Sequence, residues 1–503
     1  MPEKTFAPPA DAASADPRRW IAMTILLLAS FMNLIDVTIV NVAIPSMQAN
    51  LGADSSQVEW VIAAFVLSFA LGLLPFGRLG DIVGRKRMFL IGVSLFTVGS
   101  FLCGIAPSIQ LLIAARALQG LAGSVMTPQV LAIAQVIFPP KERGLAFSLF
   151  GLSAGLASVA GPVIGGALIA GNFWGLDWRP IFLVNIPFGL VAVIAGAALI
   201  IKVPPHPGLR NDYAGIAIFS AAMLLLVYPL IEGRAYGWPL WAFGMIAAAV
   251  VLMVAFFLWE KRREANGETQ LLPVSLLTNR NFLIGTLMTT TFASGVPGFF
   301  LSFALFLQTG FGLTPLQSGL TGIPFSIGVV CASLASGRLG SRYLPQRFAV
   351  GSLLLAIGFA YNRWVIASVG EQLHQLAFTL PLAIAGIGLG IGFAALFQMI
   401  LAGVPHKDAG SASGALQAFQ QAGGALGVAL TGEIFFTWLE HGRDWGATSK
   451  GAAFANAASA ALLYVIASFV LAAALVPFLK RAPKPQGGLG RLETPPQPVI
   501  IEG

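Results

Sequence analysis

Charged residues are scarce in this chain. Asp, Glu, Lys and Arg make up only 10% of its 503 residues, whereas 56% of the residues are hydrophobic and the mean hydropathy is +0.81. A water-soluble core does not need so much apolar sequence. The composition therefore argues against a soluble enzyme and predicts an all-α polytopic membrane protein.

Cysteine and histidine are also scarce. Cys103 and Cys331 lie far apart in apolar runs, and the four histidines are scattered without the spacing of metal ligands. This pattern supports neither a disulfide framework nor a metal site. Because no nucleophile, metal or phosphate motif stands out, we predict neither an enzyme nor a bound cofactor.

Apolar runs of membrane-spanning length are abundant. They predict about fourteen spans, near residues 20–46, 57–77, 88–106, 109–137, 144–170, 179–201, 213–231, 239–259, 280–308, 316–336, 347–368, 374–402, 411–436 and 452–479. We expect no cleavable signal peptide before them, because the first eighteen residues are polar and the first apolar run is too long.

The net charge of +8 could indicate a nucleic-acid partner, but its distribution indicates membrane topology instead. Most of the 29 Lys and Arg residues fall in alternate loops, on the side that holds both chain termini. Positive charge is concentrated in cytoplasmic loops. We therefore predict fourteen spans with both termini in the cytoplasm and no binding to nucleic acid.

A short internal repeat divides the chain. The sequence GRLGD at 77–81 recurs as GRLGS at 337–341, eight predicted spans later. Six spans in each half, with two extra spans between them, give that offset. The predicted organisation is a cytoplasmic tail, an N-terminal six-helix bundle, two inserted helices with a linker, a C-terminal six-helix bundle and a disordered cytoplasmic tail, at residues 1–19, 20–201, 202–279, 280–479 and 480–503.

Asp36 lies inside the first apolar run, which extends from Trp20 to Pro45. At 1.5 Å per residue it is roughly 24 Å beyond Trp20, too deep for so short a side chain to reach water. The carboxyl group must face a protein-lined cavity, pair with a cation or carry a proton. A structural Asp, permanently paired or protonated, is the plainer interpretation, whereas alternation between a cation and a proton would couple proton flow to transport.

Two further ionisable residues lie within predicted spans. Arg116 is about five residues into the fourth span if that span begins near Leu111, and Gln119 lies on the same face. Arg116 either holds an acid such as Asp36 in its charged form or bonds backbone carbonyls at a bend near Pro128. Glu433, near the outer end of the thirteenth span, is either an interfacial acid or a second proton site.

Amide and aromatic side chains deep in the spans are candidates for lining a substrate cavity. Such amides also bond neighbouring helices, and such phenylalanines also face lipid. The candidate cavity residues are Asn33, Asn41, Phe65, Gln119, Phe292, Phe299, Phe303, Gln398, Gln417 and Gln420.

The loop GRLGDIVGRKR at 77–87 combines spaced glycines with cations clustered around one acid. Glycines permit a tight turn, and the charges suit a conformational latch at the cytoplasmic surface. The predicted latch residues are Gly77, Arg78, Asp81, Gly84, Arg85 and Lys86. A second glycine-rich stretch, GLASVAGPVIGG at 155–166, predicts close helix packing at Gly155, Gly161, Pro162 and Gly165.

Together these motifs resemble the major facilitator superfamily and, more narrowly, its fourteen-span drug:proton antiporter branch. The resemblance extends from Trp20 to Lys480 and rests on LIDVTIVNVAIP at 34–45, the 77–87 loop, RALQG at 116–120, the 155–166 stretch and WRPIFLVNIP at 178–187. It implies two bundles that rock around a central cavity. In that branch the acid at the position of Asp36 is implicated in proton coupling, and the acid at Asp81 locks one conformation by contacting a helix of the other half.

The resemblance implies a monomeric, proton-coupled antiporter in the inner membrane of a bacterium, exporting lipophilic or cationic drugs. Substrate would compete with a proton on Asp36. An alternative is an exporter of one metabolite, lipid or peptide that works with a periplasmic adaptor protein. An uptake symporter is disfavoured because the 155–166 stretch resembles antiporters, and an enzyme or scaffold is disfavoured by the missing catalytic motifs.

Overall fold

The structure is a computed structural model. It describes residues 18–53, 55–202, 212–234, 236–340, 342–369, 373–405, 408–441 and 449–479, and the predicted disordered tail at 480–503 lies outside this part. The described residues form no β-strand, as an all-α chain requires. Their α-helices are α1 Arg19–Leu51, α2 Ser55–Val83, α3 Arg85–Gly104, α4 Ile109–Ile137, α5 Pro140–Gly171, α6 Pro180–Leu183, α7 Asn185–Leu199, α8 Tyr213–Glu232, α9 Leu240–Ala265, α10 Val274–Leu277, α11 Arg280–Ala304, α12 Pro315–Thr321, α13 Ile323–Gly337, α14 Leu344–Ser368, α15 Thr379–Leu401, α16 Ala409–Glu440 and α17 Lys450–Ala474.

Twelve helical segments in the described residues are long and apolar enough to cross a membrane. They coincide with the predicted spans except the fifth and the tenth. At those two places the chain forms α5, 32 residues long, and the broken pair α12 and α13. The protein is therefore a multi-pass membrane protein, and the count of fourteen spans stays a prediction.

The helices pack as two bundles. Helices α1 to α7 contact one another, and α11 to α17 do the same. The bundles meet where α2 packs on α16 and where α5 packs on α13 and α15. Helices α2, α5 and α16 therefore carry the contacts through which one bundle can influence the other.

The inserted pair α8 and α9 lies beside the junction of the bundles. Helix α8 contacts both α2 and α16, and the Tyr228 ring lies 6.0 Å from the Trp60 ring of the N-terminal bundle. At the other end of the pair, Glu260 accepts a hydrogen bond from the backbone of Leu271 at 3.2 Å. The linker forms the single helical turn α10, and Leu271 before it is fully buried against the protein.

The predicted loop at 77–87 is almost entirely helical, which corrects the sequence interpretation. Helix α2 continues through Val83 and α3 begins at Arg85. Only Gly84 interrupts them, with φ of 108°, a conformation that other residues rarely adopt. The extra helical turns form because packing on α16 buries them, and local sequence did not reveal that contact.

Candidate functional site

The carboxylate of Asp36 on α1 is the centre of a buried polar cluster. Arg116 of α4 donates to Oδ2 in an ion pair, while Gln119 and Asn185 donate to Oδ1 at 2.8 and 3.1 Å. Asp36 is 0% exposed and Arg116 1% exposed. Both oxygens of the Asp36 carboxyl group therefore accept hydrogen bonds, and one of the donors is a cation.

Arg116 is fixed by more than its acid. Its Nε donates to the backbone carbonyl of Val61 at 3.0 Å, and its guanidinium carbon lies 4.2 Å from the centre of the Phe65 ring. Arg116 therefore contacts both an acid and a backbone carbonyl. The carbonyl belongs to α2, however, and not to a bend near Pro128. Phe65 lies beneath the cation, where its ring face is attractive to positive charge.

A second set of polar groups surrounds the cluster. Gln119 donates to Ser100 at 2.8 Å, Asn185 donates to Ser100 at 3.3 Å, and the Cys103 thiol donates to Gln119 at 3.5 Å. The sequence analysis did not identify Ser100 or Asn185 as part of the site. The signal for Asn185 was its place within WRPIFLVNIP, where it is an isolated amide between apolar residues.

A cavity of about 200 Å³ lies between α5 and the C-terminal bundle. Aromatic, aliphatic and glycine residues make up most of its wall. The lining residues are Gly151, Gly155, Thr289, Phe292, Ala293, Val296, Pro297, Phe300, Phe325, Leu389, Phe393, Leu396, Phe397, Gln420, Gln421 and Gly424.

Two of the ten predicted cavity residues, Phe292 and Gln420, line this cavity. Phe65 and Gln119 belong instead to the Asp36 cluster, and the Asn41 side chain lies outside the described residues.

The remaining predicted cavity residues bond or pack elsewhere. Asn33 donates to Thr127 at 3.5 Å, and Gln417 donates to its own helix. Gln398 is buried and does not line the cavity. Phe299 and Phe303 stack on each other inside the C-terminal bundle. The prediction identified buried polar and aromatic residues, but it did not distinguish residues that line the cavity from residues that pack between helices.

Helix α5 connects the Asp36 cluster to the cavity. Two residues beyond Asp36, the Thr38 hydroxyl donates to the carbonyl of Ala157 at 3.1 Å. A Cβ at Gly161 would collide with Thr38, whereas Gly155 lines the cavity.

The other predicted glycine-motif positions agree with close packing as far as the structure describes them. Gly165 lies against Ile39 of α1, and the Pro162 side chain lies outside the described residues. The glycine stretch therefore brings α1 close to a helix that forms part of the cavity wall.

The acid of the 77–87 segment joins the two bundles. Asp81 accepts hydrogen bonds from the backbone amides of Gly410 and Ser411, both at 3.2 Å, at the N-terminus of α16. Arg85 donates to the same carboxylate at 2.9 Å. Beside it Arg78 pairs with Asp408 at 3.3 Å. We call these six residues the latch, because they join α2 of the N-terminal bundle to the N-terminus of α16 in the C-terminal bundle.

Two other predicted latch residues have different roles. A Cβ at Gly77 would collide with the carbonyl of Gly410, so Gly77 permits close approach of α2 to α16 and not a turn. Lys86 donates to the carbonyl of Ala197 within its own bundle, at 2.8 Å.

Glu433 lies apart from the Asp36 cluster. Its carboxylate accepts a hydrogen bond from the Trp238 indole at 2.8 Å, between α16 and the segment that joins α8 to α9. Glu433 therefore fastens the inserted pair to the C-terminal bundle in this conformation.

Known proteins resemble this chain over most of its length. The family model described as Major Facilitator Superfamily matches residues 26–214 and 210–428. The chain is 40% identical to the "Probable actinorhodin transporter" of Streptomyces coelicolor over 445 residues, which cover 87% of this chain and 76% of that protein. It is 33% identical to the "Puromycin resistance protein pur8" of Streptomyces alboniger, over 91% and 92% of the two chains.

A solved structure shares the fold. The crystal structure of a human organic anion transporter superposes with a TM-score of 0.65 at 16% identity, covering 92% of this chain and 100% of that one. The matched family model, the relatives and the two-bundle architecture agree. The chain belongs to the major facilitator superfamily of membrane transporters.

Proposed function

We propose that this protein is a proton-coupled antiporter that exports lipophilic small molecules, antibiotics among them, across the inner membrane of a bacterium. In this proposal it works as a monomer with fourteen spans and both termini in the cytoplasm. The names of its relatives, a probable actinorhodin transporter and a puromycin resistance protein, support export of antibiotics.

The observation that carries the proposal is the buried ion pair of Asp36 and Arg116, with its physical connection to the cavity. An ionisable acid in a membrane span costs free energy, so such residues are rare and usually mark a functional site. Protonation of Asp36 would remove its charge and weaken its hold on Arg116, so α1 could move relative to α4. Thr38 on α1 would transmit that movement to α5 through Ala157, and α5 forms part of the cavity wall.

This mechanism differs from direct competition between substrate and proton for Asp36. Asp36 is fully buried within the N-terminal bundle and does not line the described cavity. Exchange then requires only that the protonated and substrate-bound states favour different arrangements of α1 and α5. The latch would hold the cytoplasmic side closed and must open for substrate to enter.

Substrate-induced proton release from purified protein tests the proposal. Wild-type protein should release protons into weakly buffered detergent solution when a transported antibiotic is added, whereas Asp36→Asn should release none. Asn keeps the shape of Asp but cannot titrate, and its amide nitrogen donates where one carboxylate oxygen accepted. Undiminished release by Asp36→Asn would contradict the role of Asp36.

Asp177→Asn is the matched control. Asp177 lies outside the helices with φ of 54°, a conformation that Asn tolerates. This variant should release protons like the wild type.

A narrower proposal is that the protein exports a single compound. The relatives named for actinorhodin and for puromycin favour it, because each name specifies a single antibiotic. Proton release upon addition of several unrelated antibiotics would argue for the broader function.

A further inference from the structure

The described cavity is unusual for a site expected to accept cationic drugs. Its sixteen described lining residues include no Asp, Glu, Lys or Arg. Asp36, the acid proposed to carry the proton, is paired with Arg116, is fully buried and does not line this cavity. A cation in this cavity would therefore find no carboxylate on the wall to replace its lost water.

Aromatic rings do not make up for that lack of charge. Attraction between a cation and a phenyl face returns less free energy than transfer of an unpaired ion out of water costs. An uncharged molecule does not pay that transfer cost. The electrostatics of the wall thus favour an uncharged substrate over a permanent cation.

The wall does provide for a flat aromatic molecule. Phe292 and Phe300 come from α11, Phe325 from α13, and Phe393 and Phe397 from α15, so rings approach the cavity from three helices. Aromatic pairs gain from offset or edge-to-face contact beyond the apolar area that they bury.

Two glycines leave space at the cavity wall. A Cβ at Gly424 would have the Pro297 ring as its nearest neighbour at 3.8 Å, and a Cβ at Gly151 would meet Ser333 at 3.4 Å. Both are near ordinary contact distances, so these positions leave room that a substrate can use.

Two amides give the wall a small polar region. Gln420 and Gln421 on α16 are half-buried and line the cavity. The Thr289 hydroxyl, in contrast, already donates to the carbonyl of Gly285 at 2.9 Å. A primary amide both donates and accepts, so it suits a carbonyl or hydroxyl group on a ring system.

We infer that this cavity binds uncharged, planar aromatic molecules that carry carbonyl or hydroxyl groups, and that it discriminates against permanent cations. The inference rests on the proposed export function and narrows its substrate class. It departs from one part of the sequence-based expectation of lipophilic or cationic drugs, namely the cations, because that expectation came from family resemblance and not from the chemistry of this wall.

A pair of probes with the same three fused rings isolates charge. Acridone is neutral and carries a carbonyl, whereas 10-methylacridinium is a permanent cation. Fluorescence titration of purified full-length protein should show acridone binding at least tenfold more tightly. Equal or tighter binding of the cation, or no binding of acridone, would overturn the inference.

Variants that fill the cavity locate the binding. Gly424→Leu should weaken acridone binding at least tenfold, because the added side chain would occupy space beside the rings. Gly151→Ala adds one methyl group and should weaken it by a smaller factor, which provides a second test if Gly424→Leu folds poorly. Gly244→Leu is the matched control, since Gly244 on α9 is exposed with nothing near its missing Cβ. Unchanged acridone binding by both cavity variants would overturn the inference.

Accumulation assays separate failure of the inference from failure of the proposed function. If cells that express the protein exclude 10-methylacridinium better than acridone, and a protonophore abolishes the effect, the export function stands and the substrate class is wrong. If acridone binds selectively but a protonophore does not change the cellular accumulation of either probe, the substrate class stands and proton coupling is wrong.

Discussion

The two bundles bury different chemistry. The N-terminal bundle buries ions, since Asp36, Arg116, Asp81 and Arg85 are each at most 1% exposed. The C-terminal bundle buries a cluster of contacting rings, among them Phe299 and Phe359 with centroids 4.3 Å apart.

The difference indicates a division of roles. A hydrogen-bonded ion cluster has an arrangement that depends on protonation, so it can switch. A core of interlocked rings keeps its packing whatever the pH, so it can shape a binding site. The proposed proton site therefore lies in one bundle and most of the cavity wall in the other, with α5 between them.

The repeated GRLG segments make different contacts at the junction of the bundles. In the first copy Asp81 bonds the backbone of α16 in the opposite bundle. In the second copy Arg347 bonds the carbonyl of Gly340 in its own bundle, at 2.7 Å. The described contacts therefore place a carboxylate latch on the first copy, while Gly340 packs closely against Gly144 of α5.

Removal of the buried cation should have the largest effect on stability. Arg116→Ala leaves Asp36 without its charge partner, and breaking a buried ion pair costs about 3–5 kcal/mol. We expect a matching loss in the free energy of unfolding, measured by denaturant titration in detergent micelles.

A double variant sharpens that result. Asp36→Asn combined with Arg116→Ala removes the unpaired charge, so it should recover a substantial part of the lost stability. A double variant no more stable than Arg116→Ala would show that Arg116 acts through packing and not through charge.

Removal of a ring from the C-terminal bundle should cost stability without altering proton dependence. Phe299→Ala opens a hole in a fully buried aromatic core, at a cost of about 3 kcal/mol. The variant should unfold at lower denaturant concentration, while the folded fraction keeps the wild-type pH profile of export. A shifted pH profile would contradict the division of roles.

Loss of the latch charge should open the junction of the bundles more often. Asp81→Asn weakens its bonds to Arg85 and α16, worth about 1.5–3 kcal/mol when one partner is charged. In a Cys331→Ser background, a cysteine introduced at the fully buried Ser413 should react roughly tenfold faster with a soluble maleimide. An unchanged rate, equal to that of Asp177→Asn in the same background, would argue against the latch.

A partly exposed ion pair in the N-terminal bundle should matter least. The hydrogen bond and charge of Arg19 lower the pKa of Glu142 below its ordinary value of 4.5, at the first turn of α5. Such a carboxylate adds stability above its ordinary pKa and loses that contribution as pH falls through the lowered value. Glu142→Gln should therefore cost at most about 1 kcal/mol at pH 7, with the difference vanishing on acidification.

The sequence alone determined where most spans lie and which residues carry charge into them. A run of apolar residues must form a helix in lipid, because its backbone has no other hydrogen-bond partner there. Asp36, Arg116 and Asp81 could also be identified from the sequence, because each is a charged residue in an apolar or glycine-rich background. The pairing of Arg116 with Asp36 was one of two options that the residues left open.

Only the tertiary structure decided which faces meet. A span that is apolar all round gives no signal of its rotation about its axis, so Phe65 could not be assigned to the ion cluster, nor Phe325 and Phe393 to the cavity. Helical rotation is set by close packing at glycines such as Gly161, whose neighbours come from distant parts of the chain. For that physical reason the separation of Asp36 from the cavity became visible only in the packed molecule.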